Sequence, residues 1–268
     1  MNRGFVTLAL DTPVDHYITL LRILIFTTCL LLLTRMMVSG LVRVYPWFFA
    51  YVLAEALRLL ASFQVTLYSP AYNNQWKVSN LVKAVLMVFV VLEMYRVALA
   101  GTPALARYSQ RVAVYVILAG GVLSGLGLLL FGTGSTVVET TIHNYFAFLR
   151  TMDCWMLFLV AAVVWFVLWF PVPLSRNALL YILIFGVFFL SEASTFFVAG
   201  QLTLYQARGV RMAAFTVNWL CLLCWTIALG GRGGFSTRVV GHWWNKSKVE
   251  CLTAQLERIN QSLERIER

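Results

Sequence analysis

Residues 47–67 read WFFAYVLAEALRLLASFQVTL, an almost unbroken apolar run with Glu55 and Arg58 set inside it. A helix needs roughly 20 such residues to cross about 30 Å of hydrocarbon. Ionisable groups at that depth are expensive unless they turn inward and find partners. Tyr51, Glu55, Arg58 and Ser62 step by four, three and four, which places them on one stripe of one helix. The stretch predicts a membrane helix with a polar inner face.

Six further runs of the same kind lie on either side. The expected spans are 14–36, 47–67, 77–99, 112–132, 143–170, 177–200 and 210–230. Tyr45-Pro46, Ser69-Pro70, Thr102-Pro103, Gly132-Thr133-Gly134-Ser135 and Pro171-Val172-Pro173 punctuate the connections. Strands of a membrane barrel would be about half as long and would alternate, so helices are expected. Over 268 residues the chain is 60% hydrophobic and 12% charged, against the roughly 25% charged of soluble domains. Seven spans consume nearly all of it. The expected organisation is a seven-helix membrane domain over 1–231, a basic interfacial linker over 232–248 and a C-terminal helix over 249–268. The N-terminus lacks the basic region and small-residue cleavage site of a signal peptide, so the first apolar run is expected to stay as a helix.

The formal net charge is +10. Its Lys and Arg are spread over loops and a tail beside apolar spans, so anionic lipid headgroups are the expected partners and nucleic acid is not. Arg35, Arg43, Arg96, Arg107, Arg111, Arg176, Arg232, Arg238, Lys246 and Lys248 fall on one side of the alternating spans. Arg3, Lys77, Arg208 and Arg211 fall on the other. The positive-inside rule then puts the N-terminus outside and the C-terminus in the cytoplasm. Trp47, Trp76, Trp243 and Trp244 sit at segment ends, where indole rings favour the headgroup region. Gly120, Gly121, Ser124, Gly125 and Gly127 form a small-residue stripe that lets another helix approach the fourth span closely.

Depth counting at about 1.5 Å per residue draws the buried charges together. Arg22, Arg58, Lys83, Asp153 and Glu192 come from five spans, and each falls about 9–15 Å below the outer end of its own. Glu55 and Glu93 lie deeper, and Glu55 can balance the excess positive charge. Inward stripes also join Asp15 with Arg22, His143 with Arg150 and Asp153, and Arg211 with Asn218 and Trp225. Two readings remain for this cluster: ion pairs that fix helix register, or a polar cavity that holds an anionic or zwitterionic ligand or passes ions.

Catalytic and cofactor signatures do not emerge. The last span has no Lys for a retinal Schiff base, and receptor-type D-R-Y and N-P-x-x-Y patterns are missing. Zincin, nucleophile-elbow and phosphate-loop motifs are missing too. Cys221-Leu-Leu-Cys224 lies in an apolar run and reads as packing. His16 and His143 lack haem-ligand spacing and read as interfacial polar residues. No cofactor, metal or catalytic residue is expected. The expectation is a non-enzymatic ligand- or lipid-binding sensor or a structural component of an assembly, with a transporter or channel as the alternative.

The tail carries a different pattern. Val249, Leu252, Leu256, Ile259, Leu263 and Ile266 are spaced three, four, three, four, three, and Leu-Glu-Arg-Ile recurs one heptad apart. This is a coiled-coil seam, and leucine at a with isoleucine at d favours trimers or tetramers over dimers. Homo-oligomerisation through this helix is expected; the competing reading is an amphipathic helix lying on the membrane or on its own bundle.

Tyr45-Pro46-Trp47-Phe48-Phe49-Ala50-Tyr51 opens the second span, and Val91-Leu92-Glu93-Met94-Tyr95-Arg96 closes the third. With the short heptad tail, these motifs resemble a group of uncharacterised bacterial seven-transmembrane-helix proteins. The resemblance implies a multi-pass protein of the bacterial inner membrane and carries no activity, cofactor or site residue with it.

Overall fold

The computed structural model describes residues 13–64, 70–131, 137–169, 172–199, 204–230, 237–240 and 246–267. The fold is helical. In chain order the elements are α1 (Pro13–Val38), a 3-10 turn (Leu41–Arg43), α2 (Pro46–Gln64), α3 (Pro70–Ala98), α4 (Pro103–Phe131), α5 (Val137–Trp169), β1 (Val172–Ser175), α6 (Arg176–Ala199), α7 (Leu204–Ala228), β2 (Thr237–Val240) and α8 (Lys246–Glu267). Proline opens each of α1, α2, α3 and α4, where its missing N–H costs nothing and its fixed φ suits the first turn. Gly40, with φ of 69°, turns the chain out of α1, a conformation that a Cβ would strain.

Among the described residues, four helical stretches are long and apolar enough to cross a membrane: 16–38, 46–64, 151–169 and 176–195. They mark the chain as a membrane protein. The apolar part of α7 is shorter, 212–228, and α3 is interrupted by Lys77, Lys83, Glu93 and Arg96. Each of the expected seven apolar segments has its centre on one of α1–α7.

The packing follows the inward stripes. α1 lies against α2 and α7, α2 against α3, and α6 against α5 and α7. α3 also touches α4, α5 and α6, so it stands where several helices meet. Phe48, Tyr181, Phe185, Phe188 and Trp225 form an aromatic centre from α2, α6 and α7, with Phe185 4.4 Å and Phe48 4.8 Å from Trp225 between ring centres. Large apolar side chains also cover the outside, among them Leu31, Leu57, Tyr115, Trp165, Leu190 and Ile227. Helices that are apolar on both faces suit a hydrocarbon surrounding rather than water.

The small-residue stripe of α4 is used at Gly120. A Cβ there would lie 2.7 Å from Trp155 Nε1, so the indole of α5 rests directly on the α4 backbone. Gly121 has open space beside it.

The segment read as a linker contains structure. Residues 237–240 pair antiparallel with 172–175 in the register Val172↔Val240, Pro173↔Val239, Leu174↔Arg238, Ser175↔Thr237. Thr237, Val239 and Val240 have the β-branched side chains that strands favour, yet four residues make too short a pattern to read, and the partner is remote in sequence. Beside this ribbon, Asn177 Nδ2 donates to the Gly230 carbonyl at 2.6 Å, and Ser175 Oγ accepts the Ala178 N–H at 3.2 Å to cap α6. α8 begins at Lys246, earlier than the expected start at residue 249.

Candidate functional site

The inner stripe of α2 faces α3 across a cavity of about 290 Å³. Tyr51, Glu55 and Arg58 line it from α2, and Gln75, Ser79 and Lys83 from α3. Their helical spacing is what brings them to one side: 51, 55 and 58 on α2, and 75, 79 and 83 on α3. Glu55 is buried and takes both Arg58 nitrogens, Nε at 3.0 Å and Nη2 at 2.5 Å, in a two-pronged ion pair.

Lys83 is the hub. Its Nζ lies 3.7 Å from Glu192 on α6, 5.4 Å from the Phe188 ring centre and 6.0 Å from that of Tyr51. The ring faces and the carboxylate are the kinds of partner that an ammonium at this depth needs. Asp153 on α5 is half-buried, and Cys29 on α1 is buried.

Of the residues expected in one outer layer, Arg58 and Lys83 line this cavity together with Glu55, and Glu192 lies beside Lys83. Arg22 is half-buried on α1. The other expected stripes point inward where they are described: Asn218, Cys221 and Trp225 are buried on α7. The side chains of Asp15, His143, Arg150 and Arg211 lie outside the described residues. Cys221 is buried while Cys224 is exposed, so the two thiols do not share one pocket.

Tyr51 and Gln75 gain importance from what surrounds their polar atoms. Both residues line the cavity, and Tyr51 Oη and Gln75 Oε1 are buried with no hydrogen-bond partner among the described residues. An unsatisfied buried polar atom costs about 1–3 kcal/mol, so such groups are normally matched. Gln75 sits in the polar first half of α3, before the apolar run of the third expected span. Its signal was the i, i+4, i+8 register with Ser79 and Lys83.

Glu93 stands apart from this group. It is buried at the other end of α3, where it accepts the backbone N–H of Trp47 at 2.9 Å and of Phe48 at 3.3 Å, and the Tyr181 hydroxyl at 2.9 Å. Arg96 Nη2 lies 3.9 Å away and donates to the Val44 carbonyl at 2.8 Å. Because Pro46 opens α2 without a capping side chain of its own, Glu93 supplies the acceptor that its first turn needs.

α4 is served in the same way. Asn260 Oδ1 on α8 accepts the N–H of Ala104 at 3.0 Å and of Leu105 at 3.3 Å, directly after Pro103. α8 packs against α4, with Leu256 buried, Leu252 and Leu263 half-buried and Ile259 exposed. The side chains of Val249 and Ile266 lie outside the described residues.

The chain matches no protein-family model, no curated protein and no solved structure.

Proposed function

We propose that the chain is a seven-helix integral membrane protein that binds a small anionic or zwitterionic molecule in the α2–α3 cavity and works as a sensing or binding component rather than an enzyme. The observation that carries this reading is the pair of buried, unmatched atoms, Tyr51 Oη and Gln75 Oε1, beside Lys83 and the Glu55–Arg58 pair. A hydroxyl donor, an amide acceptor and two cations balanced by carboxylates suit a ligand with at least one anionic group. The Lys/Arg distribution supports an N-terminus outside and a C-terminus in the cytoplasm of a bacterial inner membrane.

Native mass spectrometry of the protein released from its own membrane tests the cavity. A small co-purifying molecule should appear on the wild type and be lost from Tyr51→Phe and Lys83→Met. Wild-type protein that carries nothing, or variants that carry the same mass, would overturn the assignment.

A transporter or channel is the second reading, favoured by Lys83 on α3 and Glu192 on α6 pairing 3.7 Å apart within membrane helices. Ion or solute flux into proteoliposomes, abolished by Glu192→Gln, would support it. Self-association into a trimer or tetramer through α8 is proposed on the exposed Ile259 and the heptad seam.

A further inference from the structure

A second cavity of about 520 Å³ lies between α3 and α4, along the C-terminal part of α3. Its walls are two facing stripes. Phe89, Leu92, Glu93 and Arg96 step by three, one and three along α3; Arg107, Arg111, Val114 and Tyr115 step by four, three and one along α4. The two helices run in opposite directions from the short connection 99–102, so the stripes are graded alike. Near the connection the groove is basic, with Arg96 and Arg107, then Arg111 and the Glu93 carboxylate. Farther in it is apolar, with Leu92, Phe89, Val114 and Tyr115.

The groove is held open by its own hydrogen bonds. Gln110 Nε2 on α4 donates to the Leu92 carbonyl on α3 at 2.9 Å, and Trp47 stacks on Phe89 with ring centres 4.3 Å apart. Glu93 has its oxygens engaged by Trp47, Phe48 and Tyr181 and is buried, whereas the three arginine side chains are exposed. The accessible end of the groove is therefore cationic. Arg107, Arg111, Val114 and Tyr115 are all exposed on α4.

We propose that this groove seats an anionic phospholipid, its phosphate between Arg96, Arg107 and Arg111 and an acyl chain along Phe89, Leu92, Val114 and Tyr115. A free phosphate would use the arginines alone. The apolar half, continuous with the basic half and aligned with the helix axes, fits a molecule that is charged at one end and hydrocarbon at the other. Basic pockets between helices at the cytoplasmic face suit anionic headgroups, and the Lys/Arg distribution puts this end of α3 on that face. The proposal rests on the membrane-spanning reading and is independent of the α2–α3 cavity.

Delipidated protein in detergent, titrated with phosphatidylglycerol or phosphatidylcholine and read by native mass spectrometry, tests it. Wild type should retain phosphatidylglycerol roughly tenfold better than phosphatidylcholine, as expected for charge-assisted contacts to phosphate. Arg107→Gln with Arg111→Gln should abolish the preference, while Arg176→Gln, a basic change elsewhere at a helix start, should keep it. Val114→Trp fills the apolar half without touching the arginines and should lower retention of phosphatidylglycerol as well. A preference that survives both groove changes overturns the site. Glycerol 3-phosphate bound as well as phosphatidylglycerol overturns the lipid and leaves a phosphate pocket. A chain that stays soluble without detergent fails the membrane reading itself, before any lipid is added.

Discussion

Glu93 on α3 accepts the backbone N–H of Trp47 on α2 at 2.9 Å, so a side chain from one helix completes the first turn of another. The arrangement ties the start of α2 to the end of α3 and, through the Tyr181 hydroxyl, to α6. Removing the acceptor by Glu93→Ala strands two N–H groups and a phenol in a buried place. The expected loss is about 2–4 kcal/mol, a lost cap plus an unmatched buried hydroxyl. Glu93→Gln keeps an acceptor and should cost less. Thermal unfolding in detergent checks the order; equal melting temperatures for both variants would sink the capping account.

Lys83 and Glu192 should behave as one unit. Either Lys83→Met or Glu192→Gln alone leaves a half-buried charge without its counterpart and lowers stability by about 1–2 kcal/mol. The double variant should be more stable than the sum of the single changes implies, with a coupling of about 1–3 kcal/mol. A thermodynamic cycle from chemical unfolding measures this. Strict additivity would mean that the two groups do not depend on each other.

At the α4–α5 contact, Gly120→Val should force the indole of Trp155 away and cost about 1–3 kcal/mol through overpacking. The same change at Gly121, where a Cβ meets open space, should be close to neutral. Trp155→Leu in the Gly120→Val background should restore part of the loss. Unfolding midpoints of the four proteins decide the matter.

Asn260 gives the tail a measurable anchor. Asn260→Ala removes the acceptor for Ala104 and Leu105, so amide exchange in the first turn of α4 should quicken by roughly fivefold to tenfold, the equivalent of one lost cap. Native mass of the full chain and of a chain ending before residue 249 tests self-association. A monomer in both forms rules out the α8 oligomer.

The stripe on α2 was readable because its residues are local: 51, 55, 58 and 62 share a helix face whatever the neighbours are, and hydrocarbon leaves them only the inside. Depth counting put Lys83 and Glu192 at one level, and the two lie 3.7 Å apart. It put Glu93 deeper, but depth along α3 does not disclose that the start of α2 lies beside Glu93 and takes its carboxylate as an acceptor. The role of Asn260 left no mark in the sequence for a related reason, since its partners are backbone groups remote in sequence. The β1–β2 pairing had the weakest trace of all. Its strands are short, one contains Pro173, and their alternation is no stronger than chance.

That ribbon also gives the molecule a mechanical linkage. β2 lies between α7 and α8 in the chain, and β1 runs straight into α6 at Arg176. Tension applied to β2 therefore reaches the base of α6 through a short antiparallel clamp. Glu192 stands sixteen residues farther along α6, about 24 Å at helical rise. A tug on β2 and a charge held by Lys83 thus act on opposite stretches of the same stiff rod.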